Sequence, residues 1–204
     1  MQREYALHGK ATSHATTVVA GMRDEELIES IARGDKGAMR VLYLRHSVRI
    51  YRFILRLTQN TTLSEDLVSE VFLYVWRQAE AFEAKSKVST WLLAIARYKA
   101  FSALRRRSDE QLDDVTAAVI EDPADDPEIA FQGRQRSALI GRCLMKLSPA
   151  HRQVIDLVYY HEKSIGEVAR IVGIPASTVK TRMFYARARV AKLLAEAGVE
   201  RVCS

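Results

Sequence analysis

Between residues 23 and 107, apolar side chains recur at steps of three and four, the period of helices buried on one face. Asp24 is placed to cap a short helix whose Leu27, Ile28 and Ile31 share a side, with Gly34 as its stop. Asp35 is placed to start a longer helix through Ala38, Val41, Leu42, Val48 and Leu55, ending near Leu57. A third helix is predicted from Ser64, with Glu65 and Asp66 in the first turn, where the helix dipole favours anions. Its stripe is Leu67, Val68, Val71, Phe72, Val75 and Trp76. A fourth runs from about Thr90 to Arg107, with Trp91, Leu92, Ile95, Ala96 and Leu104 inward. No stretch keeps a period of two, so no strand is predicted, and residues 1–22, without a clear period, read as a mobile extension.

The pattern resumes at residue 134. Leu139, Ile140, Cys143, Leu144 and Leu147 form one helical stripe. Ser148-Pro149 supplies a cap followed by proline at the first helical position, and that helix reaches about Tyr160. Ser164 and Glu167 have the spacing of a capping box for a short helix carrying Ile165, Val168, Ala169 and Val172. Gly173, four residues after the small Ala169, suits the left-handed backbone of a tight interhelical turn, and Val179 suits the apolar plug of a second helix. Ser177 or Thr178 can cap that helix, whose buried side is Val179, Met183, Ala186, Val190, Leu193 and Leu194. Ser177, Thr178, Lys180, Thr181, Arg182, Phe184, Tyr185 and Arg187 then lie on or beside its exposed side. The pattern reads as a DNA-binding helix-turn-helix; the plainer alternative is a helical hairpin with a solvated basic face. In a major groove, Lys and Arg bond guanine edges while Thr or Phe touch thymine methyls. Arg152, Lys163, Arg182, Arg189 and Lys192 are candidates for phosphate contacts.

Charge divides the chain. Its 204 residues carry a net +6, but residues 23–107 carry sixteen bases against ten acids and residues 134–204 thirteen against five. Between them, residues 108–133 hold nine acids, no Lys or Arg, and both Pro123 and Pro127, so they read as an extended acidic linker. The fold class expected is therefore all-α: two small helical domains, 23–107 and 134–204, joined by a flexible acidic linker, the second a four-helix domain. Twenty-five linker residues, 109–133, span at most about 90 Å.

Phe82, Lys85, Ser86, Lys87 and Trp91 around the third interhelical connection, then Arg97, Tyr98, Lys99, Phe101, Arg105, Arg106 and Arg107, interleave aromatic rings with cations. Unpaired bases offer π faces and phosphates to such a surface. Trp91 and Phe101 are equally compatible with a place in the core.

Taken together, the chain resembles the extracytoplasmic-function (ECF) sigma factors, the small two-domain promoter-specificity subunits of bacterial RNA polymerase. Ser64 to Phe72 is similar to the family's polymerase-binding helix, Trp91 to Arg97 to its segment beside the promoter-melting surface, and Ser164 to Arg189 to its terminal helix-turn-helix. The resemblance implies that Asp66, Ser69, Glu70, Phe72 and Trp76 contact core RNA polymerase. It implies that Phe82, Lys85, Ser86, Lys87, Arg97, Tyr98, Lys99, Arg105 and Arg106 capture the melted non-template strand of the −10 promoter element, holding a base flipped from the stack. The helix with Ser177, Thr178, Lys180, Thr181, Arg182, Phe184, Tyr185 and Arg187 would read the −35 element as duplex. An anti-sigma factor is implied as a further partner, and the linker would thread the polymerase cleft as an RNA mimic. The chain departs from the family at Ala84 and Ser177, where Gly is common, at Tyr98 (often Asn), Ser102 (often Asp) and Tyr185 (often Arg). These departures bear on the preferred promoter sequence.

The rival reading is a helix-turn-helix repressor or activator with a helical sensor domain, which would bind its operator without polymerase. It accounts for residues 134–204 but not for the Ser64–Trp76 helix or the acidic linker. Five scattered histidines match no metal spacing, and P-loop, G-x-S-x-G and Rossmann glycine patterns are missing, so neither catalysis nor a cofactor is expected. With no membrane-length apolar run, no signal-peptide core and only Cys143 and Cys203, a cytoplasmic, reduced protein is expected. Cys143 lies on an apolar stripe and reads as packing rather than a redox sensor; Cys203, near the terminus, reads as exposed.

Overall fold

A computed structural model describes residues 21–110 and 139–197, and every regular element in them is helical. The N-terminal extension, the linker from residue 111 onward with its two prolines, and Cys203 lie outside the described residues.

In the first unit, α1 (Asp24–Ala32), α2 (Lys36–Thr58), α3 (Thr61–Gln78) and α4 (Val88–Glu110) pack around α2, with a short 3-10 turn at Ala79–Ala81. Asp35 caps α2 as its position predicts: its carboxylate accepts from Gly37 N at 2.7 Å and Ala38 N at 3.1 Å. Asp24, in contrast, is not a cap. The chain enters α1 at Arg23, and the Asp24 carboxylate instead crosses to α2, accepting from Arg45 at 2.8 Å and meeting His46 Nε2 at 2.7 Å.

Ser64 is also displaced from its expected role. The α3 helix begins three residues earlier, because Gln59 turns left-handed (φ 56°) to end α2 and Asn60 then accepts from Leu63 N at 2.8 Å as the cap. Ser64 is fully buried in α3, donating to the Asn60 carbonyl at 2.6 Å and lying 2.9 Å from the Thr58 hydroxyl. Val48 points out, 59% exposed, because the core stripe of α2 runs through Leu42, His46, Ile50, Phe53 and Ile54, placing residue 48 on the opposite side. The α4 helix starts two residues before Thr90 and continues three residues into the segment assigned to the linker.

In the second unit, a helix at residues 139–145 (α5) is followed by α6 (Pro149–Tyr159), α7 (Ile165–Val172) and α8 (Ala176–Glu196). Ser148 caps α6 ahead of Pro149, and Ser164 and Glu167 form the reciprocal capping box on α7. Gly173 ends α7 with φ 72°, a left-handed position with little penalty for a residue lacking a Cβ. Ile140 departs from its stripe and is 39% exposed, while Cys143, Leu144 and Leu147 are buried. Neither Ser177 nor Thr178 caps α8. Pro175, with its fixed φ, precedes the first turn without a side-chain bond, and both residues lie inside that turn.

The two units pack together, α2 against α6 and α4 against α7. The core of each unit is apolar, but this joint is markedly polar.

Candidate nucleic-acid interface

The helix-turn-helix is formed as the spacing predicts. Val168, Ile171 and Val172 of α7 are buried with Val179, Met183, Ala186 and Leu193 of α8, while Val190 and Leu194 are half-buried. Burying that side turns Lys180, Thr181, Phe184, Tyr185 and Arg187 outward, with Ser177 also exposed and Thr178 and Arg182 half-covered. Phe184 and Tyr185, 68% and 57% exposed, meet edge to face at 5.5 Å between ring centres. The Arg187 guanidinium lies 5.6 Å from the centre of the Tyr159 ring, within cation–π range. Two bulky rings and several cations held out by a helix anchored from behind can reach base edges and phosphates together.

Two of the expected phosphate contacts belong elsewhere. Arg152 is 7% exposed, and its guanidinium donates to the carbonyls of Leu144, Met145, Leu147 and Arg56 at 2.9–3.2 Å. It satisfies the carbonyls that the end of α5 leaves open; burial pulls its pKa down. Lys163, 8% exposed, donates to the Ser89 hydroxyl at 2.7 Å and faces Glu167 at 3.8 Å. A sequence pattern does not separate a cation committed to buried acceptors from a free one.

On the first unit, Ala84 adopts φ 53° in the loop before α4, a left-handed position that glycine would occupy with less strain. Phe82 tilts against Trp91 at 5.0 Å, and both are half-buried, so this pair braces the loop against α4. Lys85 pairs with Glu83, Ser86 is half-buried, and Lys87, Tyr98, Arg105 and Arg106 are exposed. Arg97 lies 4.9 Å from the Phe101 ring centre, and its buried Nε finds no hydrogen-bond partner among the described residues. Its pKa is lowered by burial and by the positive charge of Arg182 on α8.

The expected polymerase-facing residues divide by depth. Asp66, Ser69 and Glu70 are exposed on α3, Trp76 is half-buried, and Phe72 is buried at 3% exposure behind Tyr43, 4.8 Å between ring centres. Glu70 is already paired, accepting from Lys99 of α4 at 2.8 Å, so two residues assigned to different partners are tied to each other.

Periodicity gave no sign of the contacts across the joint. Asp156, 2% exposed, accepts from Arg56 at 2.5 Å, and the Arg56 guanidinium lies 4.0 Å from the Tyr160 ring centre. His161 meets Phe53 edge to face at 5.3 Å. Glu167 accepts from Thr90 at 2.9 Å, and Arg170 donates to the Lys85 carbonyl at 3.1 Å. Burial works against the charged form of Glu167. The Ser164 N–H and hydroxyl, Thr90 and Lys163 outweigh that penalty and hold its pKa down at about 2. A cavity of about 310 Å³ opens beside the joint, but its Arg56 and Arg152 already donate to protein acceptors. Among the described residues no group of His, Cys, Asp and Glu is arranged to hold a metal, and no helix is long and apolar enough to cross a membrane.

Comparison with known proteins assigns both units. Residues 42–110 match Sigma-70 region 2, and residues 143–192 match Sigma-70 region 4. The chain is 32% identical over 163 residues to the ECF RNA polymerase sigma factor SigK of Mycobacterium tuberculosis, covering 78% of this chain and 87% of that one. It is 30% identical over 179 residues to SigL of the same species, covering 85% and 98%. Among solved structures, the sigma factor RpoE in its complex with the anti-sigma factor NepR from Bartonella quintana aligns with a TM-score of 0.62 and 27% identity, over 78% of this chain and 96% of that one. CnrH, solved with the cytosolic domain of CnrY, shares the fold at a TM-score of 0.63 and 24% identity, over 85% and 97%. With regions 2 and 4 in order and relatives matched over most of their length, the chain belongs to the ECF sigma factors.

Proposed function

We propose that this sigma factor divides promoter recognition between its units as the resemblance implies. The first unit docks on core RNA polymerase through the exposed face of α3, where Asp66, Ser69 and Glu70 offer acceptors. Trp76 lies at its edge, and buried Phe72 supports it from behind. The loop from Phe82 to Lys87 and the outer side of α4 take the melted −10 strand: Lys87, Arg105 and Arg106 draw in phosphates, and exposed Tyr98 offers a ring for stacking. Capture of an unstacked base favours the open duplex, so melting proceeds on binding energy. The second unit reads the −35 element through α8.

The observation that carries this reading is the outward face of α8. Its cations and the Phe184–Tyr185 pair project from a helix locked by Val179 and the left-handed Gly173 turn. As in the Bartonella relative, an anti-sigma factor is the expected regulator.

The test is run-off transcription on a genomic promoter pool with core polymerase, with and without the protein. New start sites that appear only with both are expected. Their absence, with DNA binding intact, would overturn the reading. Exchange of Lys180 and Arg187 for alanine is expected to remove −35-dependent starts while core binding persists.

A further inference from the structure

We propose that Tyr159, which lies outside the helix-turn-helix, is a positioning residue for −35 recognition: its ring holds the Arg187 guanidinium ready for a base edge. The inference rests on the assignment of α8 to the −35 element.

Tyr159 is the last residue of α6, and α6 packs against α8. Tyr159 is 56% exposed, and the guanidinium of exposed Arg187 lies 5.6 Å from its ring centre. At that distance the negative face of a ring attracts a cation. Among the described residues Arg187 has neither a carboxylate partner nor a hydrogen-bond acceptor. Lys180 and Arg189, exposed on the same helix, have no such ring among the described residues.

Tyr160, the next residue, offers the contrast. It carries the Arg56 guanidinium at 4.0 Å, but Arg56 also donates to the buried Asp156 carboxylate. The charge of Arg56 is therefore matched and one of its donors is taken. Arg187 is held by a ring face alone. A cation–π contact consumes no N–H, and a guanidinium has five in a fixed fork. Arg187 thus keeps its charge and its donors while its direction is set.

Direction decides what such a cation recognises. An unheld arginine settles on any phosphate, because a phosphate contact carries no sequence information. A bidentate bond to O6 and N7 of guanine needs the fork in plane and in register. Reaching that geometry costs side-chain freedom, and an arginine already laid on a ring has given up part of it beforehand. Tyr159 therefore contributes to discrimination between sequences, with little effect on general affinity for DNA.

The test uses holoenzyme, the full chain with core polymerase, on one promoter from the genomic pool and on the same promoter with its −35 element scrambled. Tyr159→Leu keeps bulk and helix propensity but removes the π face; Tyr159→Phe keeps the face and removes the hydroxyl. The ratio of run-off product from the two templates is expected to fall about threefold in Tyr159→Leu and to hold its wild-type value in Tyr159→Phe. In an Arg187→Ala background, Tyr159→Leu should change the ratio no further. The salt dependence of promoter binding should match wild type in Tyr159→Leu, because no charge is lost. Thermal melting checks that the exposed substitution leaves the second unit folded. An unchanged ratio in Tyr159→Leu overturns the proposal. So does a Tyr159→Phe variant as impaired as Tyr159→Leu, which would put the hydroxyl on the DNA instead of the ring on Arg187. The free, isotope-labelled chain gives a readout without DNA: the Arg187 Nε–H resonance should lie upfield of its position in Tyr159→Leu. A resonance unmoved by that exchange strikes the stacking alone, whereas a wild type without −35-dependent starts strikes the assignment of α8.

Discussion

The interior of the first unit and the joint between the units are built from opposite materials. Around α2 the core is Leu27, Leu42, Phe53, Ile54, Leu67, Val71 and Leu92, each almost wholly buried. Across the joint, Arg152, Asp156, His161 and Lys163 are buried instead, within twelve residues of sequence. An apolar core is favourable however it is approached, since water gains when the surface is covered. A buried ionic contact returns little net free energy, because desolvation offsets the attraction, but it is specific in geometry. The core thus draws its stability from covered apolar surface, while the joint draws its specificity from paired charges and hydrogen bonds.

Four measurements bear on that contrast. Leu42→Ala removes a fully buried side chain from the apolar core and should cost about 3 kcal/mol, read as a lower denaturant midpoint. A loss under about 1 kcal/mol would mean the first unit is loosely packed. Arg152→Met keeps the bulk but strands the carbonyls of Leu144, Met145 and Leu147, and should cost about 2 kcal/mol, with unfolding beginning in the second unit. Amide hydrogen exchange would locate it. Ala84→Gly relieves a left-handed alanine outside both the core and the joint and should stabilise the first unit by about 1 kcal/mol, seen as a higher melting temperature. An unchanged melting temperature would place the loop's strain elsewhere.

The smallest effect comes with pH. Glu167 has a folded pKa of about 2, below its ordinary 4.5. Its contribution is therefore present above about pH 4.5 and is lost as pH falls towards 2. The joint should loosen over that window, and Glu167→Gln should flatten the dependence in melts from pH 6 to pH 3. An identical profile in the variant would assign the acid sensitivity to other carboxylates.

Helix content and the helix-turn-helix were legible because each is a local matter. Asp35, Ser148-Pro149, Ser164 with Glu167, and Gly173 act on backbone groups within four residues, and they stand where their types require. Local rules also explain the misplacements. Ser64 and Asn60 are both competent caps, and the choice fell to Asn60 because Gln59 had already turned the chain. Asp24 had the right type for a cap but found Arg45 and His46 twenty-one and twenty-two residues away. The joint was illegible for the same reason: Arg56 and Asp156 are a hundred residues apart, and nothing in either neighbourhood announces the other. Arg152 and Lys163 therefore looked like free cations until their acceptors were in view.

The order of the two units along the chain has a consequence for biosynthesis. Residues 23–110 contain all of the first unit's helices, so it can fold on the ribosome before the second unit exists. Another 87 residues separate Glu110 from the end of the described α8 region at Ala197, which is about 4–17 s of translation at about 5–20 residues per second. Until α7 is complete, 62 residues after Glu110, the nascent first unit has no helix of its own chain to lie beside the loop at Lys85–Thr90. A slower ribosome lengthens the time for which the loop is without that neighbour.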